Sequence, residues 1–322
     1  MISRRQWILS TPALGGMVSS GLLLQSNTVA AKASQPTTAI NFELPQGSCD
    51  CHTHIHGDPA LFPMFSGRTY TPEAASPAEM TALHKALGID RVIIVTPSIY
   101  GPDNSATIAG LKVRGKNARA VAVINDKTTD GEIDQLVSLG FKGIRLNLVT
   151  NGVVDPQIIR AQFLSAAERV KKWGWHIQIN TTLNIVSALK EAFLNSPVPL
   201  VFDHFAGTDE ELDVKQSGFS DLVDLVKSGK TFVKISVTAG PRKNYSLFKP
   251  FAQALIGANV DRILWGTNWP HPNSTKMPNN TDVSPLWPVD DGLVLNQLPS
   301  WAPEASVRKK ILVDNPEKLY GF

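Results

Sequence analysis

The chain reads as a single (β/α)8 barrel, the α/β architecture known as the TIM barrel, and three features of the sequence carry that reading. Eight short runs rich in β-branched and aliphatic residues recur along it. Amphipathic stretches with helical spacing lie between them, and no glycine-rich phosphate loop follows any of the runs. Alternation of strand and helix builds a parallel sheet, and eight units of this length close it, whereas an open doubly wound sheet brings a Gly-rich turn. A length of 322 residues suits one such domain, and 43% hydrophobic with 18% charged residues is ordinary for a soluble globular enzyme.

Residues 1–33 open with Arg4-Arg5 ahead of a mild apolar run ending at Leu24, and Ala31-Lys32-Ala33 places small residues where a signal peptidase reads. Pro12, Gly15, Gly16 and Gly21 interrupt the run, which falls short of the roughly 20 mainly apolar residues of a membrane span. The expectation is a cleaved twin-arginine signal peptide, a periplasmic protein, and no membrane contact once the signal is gone. Residues 34–47 read as a polar linker, and 48–322 as the barrel.

Within 48–322 the strand runs are 48–54, 91–96, 119–124, 143–148, 175–180, 198–204, 231–236 and 262–268. Helical spacing of apolar residues marks 77–87, 158–173, 221–227, 248–256 and 306–313. Segments 56–76 and 269–288 are too long for simple turns, are rich in proline, and follow the first and last strands. Barrel enzymes build their active sites on that face, so these are the candidate lids.

The net charge of +3 resides in the leader. Residues 1–33 hold Arg4, Arg5 and Lys32 and no acid, and the remainder carries 28 basic against 28 acidic residues. A formally neutral mature chain argues against nucleic acid as a partner. The two cysteines, Cys49 and Cys51, stand one residue apart on a strand, where disulfide geometry is strained, so both are expected as free thiols.

Strand one reads Asp50-Cys51-His52-Thr53-His54. A period of two puts Asp50, His52 and His54 on one face and the cysteines on the other. Two convergent imidazoles at a barrel mouth suit a metal clamp, or a neutral donor pair that polarises a carbonyl. Arg145, Lys234 and Arg242, from strands four and seven and the loop after seven, point to an acidic substrate, since guanidinium captures planar carboxylates or sulfonates. His84 and His176 read as structural, His271 as packing, and His56 as a loop bystander.

Several longer motifs extend the pattern: Arg68-Thr69-Tyr70-Thr71-Pro72, Gly101-Pro102-Asp103-Asn104, Gly143-Ile144-Arg145-Leu146-Asn147, Asp203-His204, Trp265-Gly266-Thr267-Asn268-Trp269-Pro270-His271-Pro272 and Ile311-Leu312-Val313-Asp314-Asn315-Pro316. With strand one, they resemble the amidohydrolase superfamily of the amidohydrolase-2 type. The likeness is to the branch holding 2-pyrone-4,6-dicarboxylate lactonase, 4-sulfomuconolactone hydrolase and galactarolactone isomerase, and it spans 48–322. It implies hydrolysis of a small anionic lactone, carboxylated or sulfonated. His52 and His54 would orient and polarise the carbonyl, and Tyr70 would donate a hydrogen bond from the first loop. Arg145 would pair with a substrate carboxylate, Asn147, Lys234 and Arg242 would complete the binding set, and His204 would be the strand-six histidine.

The departures from the family pattern matter. A two-metal site of this superfamily wants a lysine on strand four, a histidine ending strand five and an aspartate ending strand eight, where this chain has Arg145, Asn180 and Asn268. Arginine stays protonated and an amide is a poor ligand for a divalent transition metal. The resemblance therefore implies no required metal, or a single Zn2+ on His52, His54 and His204. Asn268 stands where hydrolytic relatives carry the aspartate that deprotonates water, so the base falls to Asp290, Asp291 or His204. The other reading of the two aspartates is that they only cap the segment that follows, and of Asn268 that it holds a substrate hydroxyl. Two other readings stay open: a lactone isomerase acting on a sugar-diacid lactone, and a non-catalytic periplasmic binding barrel. So does assembly into a homo-oligomer.

Overall fold

The computed structural model describes residues 33–237, 240, 244–274 and 277–322. Eight parallel strands stand side by side in chain order. They are β1 (Cys49–Thr53), β2 (Arg91–Val95), β3 (Ala118–Ala122), β4 (Phe141–Asn147), β5 (His176–Asn180), β6 (Leu200–Phe202), β7 (Thr231–Lys234) and β8 (Ile263–Leu264). The barrel is nearly closed, and its seam is drawn together by backbone bonds from Cys51 N–H to the Trp265 carbonyl and from Asn268 N–H to the His52 carbonyl, both 2.9 Å. All eight strands lie where the sequence puts them. Strands buried on both faces carry continuous apolar runs, such as Val92-Ile93-Ile94-Val95.

Helices cover the outside. Pro77–Leu87 begins with a capping box in which Ser76 and Glu79 satisfy each other's backbone donors, and it ends where Gly88 turns left-handed at φ 75°. Pro156–Val170, Phe219–Lys227, Lys249–Asn259 and Ala305–Lys309 fall on the helical patterns of the sequence. Ser105–Arg114 and Asp130–Ser138, which the reading of the sequence did not mark, complete the layer between β2 and β4.

The interior divides into two apolar clusters. Cys49, Cys51, Ile93, Val95, Val121, Val201, Phe232 and Leu264 fill the barrel itself, whereas Val92, Ile94, Ala120, Leu200, Phe202 and Val233 pack toward the helices. The cysteines therefore face inward as free buried thiols, contrary to the simple alternation read from the sequence. β1 explains why. Between Asp50 and Thr53 it advances three residues while β2 advances two, from Val92 to Ile94. That bulge leaves Cys51 and His52 both facing the axis. Asp50 points the other way, to His84 on the helical layer at 3.2 Å.

Short parallel strands Thr71–Pro72 and Val283–Ser284 tie the loop after β1 to the loop after β8, roofing one side of the mouth. Residues 34–47 lie against the barrel. Trp269 Nε1 donates to the Ser34 carbonyl at 3.1 Å, and the Thr37 hydroxyl donates to Asp290 at 2.5 Å. The export-signal reading falls, apart from Ala33, outside the described residues, as does Arg242. No described helix is long and apolar enough to cross a membrane.

Candidate active site

The bulge in β1 delivers two imidazoles to the axis. His54 Nδ1 lies 2.7 Å from the Val95 carbonyl, which only accepts, so that nitrogen carries the proton. His54 Nε2 then faces His52 Nε2 at 3.2 Å, with the rings perpendicular. Asp50 fixes the strand beneath. Its carboxylate accepts from the backbone of His52 and Thr267 at 3.0 Å each and from the Thr267 hydroxyl at 2.6 Å.

The end of β6 breaks a second rule of alternation. Consecutive strand residues face opposite ways, which would send Asp203 to the helix side. Instead His204, Phe205 and Ala206 adopt left-handed φ of 51°, 52° and 55°, and the chain curls so that both Asp203 and His204 reach the axis. Asp203 is fully buried. It accepts from Arg145 Nε at 2.9 Å and Gln178 Nε2 at 3.1 Å, with His52 Nδ1 at 3.1 Å and Lys234 Nζ at 3.4 Å. Burial alone would raise its carboxyl, but the cations Lys234 and Arg145 beside it hold it well below the usual range. His204 Nδ1 meets Ser236 Oγ at 2.7 Å, and its ring sits 4.5 Å from that of His52. Burial pushes His204 down to about 3 and depresses His52 and His54 as well, so all three rings are neutral at ordinary pH.

Above these groups opens a cavity of about 880 Å³. His54, His204, Arg145, Tyr70 and Asn268 line it, Asn268 in a left-handed conformation at φ 67°. Ser98, Asn180, Thr150, Asn151 and Arg68 join them, and none of the described lining residues is Asp or Glu. Arg68 escaped the sequence reading as a site residue, although it opens a quoted motif. Its Nε donates to Thr71 at 2.6 Å and one terminal nitrogen to the Phe65 carbonyl at 3.0 Å, which fixes its direction. A smaller cavity of about 450 Å³, lined by His176, Lys230 and Arg262, lies away from this cluster.

Five expectations need correction. Asp290 does not fold over the mouth; it caps the helix Asp291–Leu295 and accepts from Thr37 and Thr38. Asp291 is fully buried against His271, 3.0 Å away, which also confirms His271 as packing. Lys234 lies under the site rather than in its mouth, with its side chain fully enclosed. Asn147 is buried and does not line the cavity. His52 is wholly enclosed behind His54 and does not line it either.

The described residues are compatible with one Zn2+ or with no metal. The group whose ligand atoms come within 4.8 Å of one another is His52, Asp203 and His204. His54, part of the set expected from the sequence, is not in that group, although its Nε2 lies 3.2 Å from His52 Nε2. Asp203 Oδ1 has no aligned donor among the described residues, a feature that suits an ion there. Asn180, in the place of a metal-binding histidine, donates to Thr150 at 3.1 Å.

Fold and site define a barrel of the kind in which a histidine pair ends the first strand. The amidohydrolase family model matches residues 49–322, and the chain belongs to that family. It is 33% identical over 292 residues to the 2-pyrone-4,6-dicarboxylate hydrolase of Comamonas testosteroni, covering 87% of this chain and 92% of that one. To the 4-sulfomuconolactone hydrolase of Hydrogenophaga intermedia it is 30% identical over 311 residues, covering 92% and 97%. A crystal structure of an Agrobacterium tumefaciens protein in its apo form superposes with a TM-score of 0.72 at 25% identity, covering 88% of this chain and 99% of that one.

Proposed function

We propose that this chain hydrolyses a small lactone bearing a carboxylate or sulfonate, such as a pyrone dicarboxylate or a sulfomuconolactone. The observation that carries this reading is the convergence of His54, His204 and Arg145 on one cavity wall, braced from below by Asp203. Arg145 commits Nε to Asp203, which leaves its terminal nitrogens for the acidic arm of the substrate, with Tyr70 beside it. The lactone carbonyl lies against the histidines, and attack by water opens the ring to a carboxylate and a hydroxyl. With no carboxylate among the described residues of the wall, His204 relays the proton. It takes it from the attacking water and returns it to the ring oxygen as the C–O bond breaks, and the new carboxylic acid then loses its own proton to solvent. Nδ1 of His204 is taken up by Ser236 and Nε2 remains for the cavity. A zinc held by His52, Asp203 and His204 would supply a Lewis acid for the carbonyl.

The test is ring opening of these lactones in weakly buffered solution, where each turnover releases one proton. No turnover of any carboxylated or sulfonated lactone would sink the reading. Asn268 on the wall favours one second reading, a lactone isomerase in which a substrate hydroxyl replaces water. Conversion of a sugar-diacid lactone into a second lactone without proton release would select it.

The enzyme works in the periplasm after twin-arginine export, a reading supported by Arg4-Arg5, the interrupted apolar run and Ala31-Lys32-Ala33. Fractionation of cells expressing the full chain and its Arg4→Lys/Arg5→Lys variant tests it; equal periplasmic yields would count against it.

A further inference from the structure

Beneath the cavity wall, Lys234 ends β7 with its side chain fully enclosed. Its Nζ has three near neighbours: Gln178 Oε1 at 2.6 Å, His52 Nδ1 at 3.2 Å and Asp203 Oδ1 at 3.4 Å. An ammonium group only donates, so an imidazole nitrogen that bonds to it must be bare. Asp203 Oδ1 is also within 3.1 Å of His52 Nδ1 and would demand the opposite, a proton on that nitrogen. The directions decide. The Lys234–His52 contact is aligned as a hydrogen bond, while Asp203 Oδ1 meets no aligned donor among the described residues.

The far side of the ring gives the same answer independently. His54 Nδ1 donates to the Val95 carbonyl, so His54 Nε2 is bare, and it faces His52 Nε2 at 3.2 Å. Two bare nitrogens at that distance repel, and one N–H between them turns the contact into a bond. Both ends of His52 thus require the proton on Nε2. The result is a one-way chain from Lys234 to His52 to His54 to the Val95 carbonyl, with every ring nitrogen matched.

We propose that Lys234 is a positioning residue that holds His52 in its Nε2–H tautomer and thereby fixes His54 on the cavity wall. It acts through His52 and does not touch substrate. This is a choice between tautomers, with no proton gained or lost. Its kinetic consequence rests on the lactone-hydrolase reading; the tautomer itself does not.

The decisive measurement is 15N NMR of the full chain labelled at histidine, with His52 assigned by the signal lost in His52→Asn. The expected result is a protonated Nε2 and bare Nδ1 on His52, and the reverse on His54. A proton on His52 Nδ1, including one that appears because a metal occupies Nε2, would overturn the proposal. In Lys234→Met the His52 proton should move to Nδ1, toward Asp203. The same variant should lose kcat on the order of 10²–10³-fold with KM changed by less than about twofold. A raised KM at unchanged kcat would instead make Lys234 a substrate contact. If Lys234→Met fails to fold, the wild-type spectrum alone still decides. Absence of any lactone turnover by the wild type would refute the hydrolase reading while leaving the tautomer assignment standing or falling on its own spectrum.

Discussion

The fold should be unusually sensitive to mild acid, because it encloses imidazoles that it keeps neutral. Burial pushes His56 down to about 4, and His176 and His204 down to about 3. In the unfolded chain each titrates near 6.5. Between about 6.5 and the folded values, the unfolded chain holds protons that the folded chain refuses. Stability is therefore fully present above about 6.5, falls as the pH drops through that window, and stops falling only below about 3. At pH 5, about 1.5 pH units below the unfolded value, each of the three costs about 2 kcal/mol. Together they remove about 6 kcal/mol, against a total stability of roughly 5–15 kcal/mol for a domain. His52 and His54 add to the loss in the same direction. Asp291 opposes it, because burial raises its carboxyl and the folded state takes that proton first.

Urea unfolding at pH 7.5 and pH 5.0 measures the difference, with the buried Trp175, Trp265, Trp269 and Trp301 as fluorescent reporters. The midpoint should fall steeply at pH 5.0 with an unchanged slope. Equal stability at the two pH values would mean that these rings are hydrated or paired in a way their burial denies, and the neutral-histidine account of the site would go with it.

Placing a carboxylate on the cavity wall with Asn268→Asp should raise hydrolysis about tenfold or more, since a general base contributes about 10²–10⁴-fold; an unchanged rate would locate the base elsewhere. Arg145→Met should raise KM and lower kcat together, because it removes both the anion contact and the brace on Asp203; loss of kcat alone would argue against substrate contact. In Gly266→Ala the new Cβ would lie 2.8 Å from the His52 backbone nitrogen and Cβ, displacing β1 at a cost of about 1–3 kcal/mol, with activity falling about 10²-fold. Gly257→Ala, in the helix Lys249–Asn259 with nothing within 4 Å, should instead stabilise by about 0.5–1 kcal/mol, and thermal melts of the two variants should diverge. A neutral methyl ester of a good substrate should be turned over at least about 10²-fold less efficiently than the acid; equal efficiency would remove the charge-based account of recognition.

The barrel was legible because its signal is repeated: eight apolar runs alternate with helical patterns, and no Gly-rich turn points to the open doubly wound sheet that shares this alternation. The first histidine pair and His204 were legible because they stand at strand ends, and Arg145 because an arginine within a buried strand must meet a partner. What escaped was set by single backbone irregularities. The bulge between Asp50 and Thr53 turned the cysteines inward and Asp50 outward, and the left-handed turn at His204 brought Asp203 to the axis. A period of two contains no sign of either. Asp290 and Asp291 were misplaced for a related reason: their partners, Thr37 and His271, lie 253 and 20 residues away, contacts that spacing along the chain cannot show.

Those irregularities also bear on the charge of the proposed substrate. With the three histidines neutral, the buried network beneath the cavity holds two cationic side chains, Arg145 and Lys234, the latter with its pKa lowered by burial, and one carboxylate, Asp203. Had Asp203 faced the helices, both cations would stand uncompensated inside the barrel, which burial does not tolerate. Because it faces the axis, one positive charge remains unbalanced, and Arg145 carries it to the cavity wall. No described acid on that wall neutralises it, and Arg68 adds a further positive group. A carboxylate or sulfonate on the incoming lactone is the charge that completes the network. The acidity of the substrate proposed above is thus tied to the count of buried charges, and not only to the shape of a guanidinium.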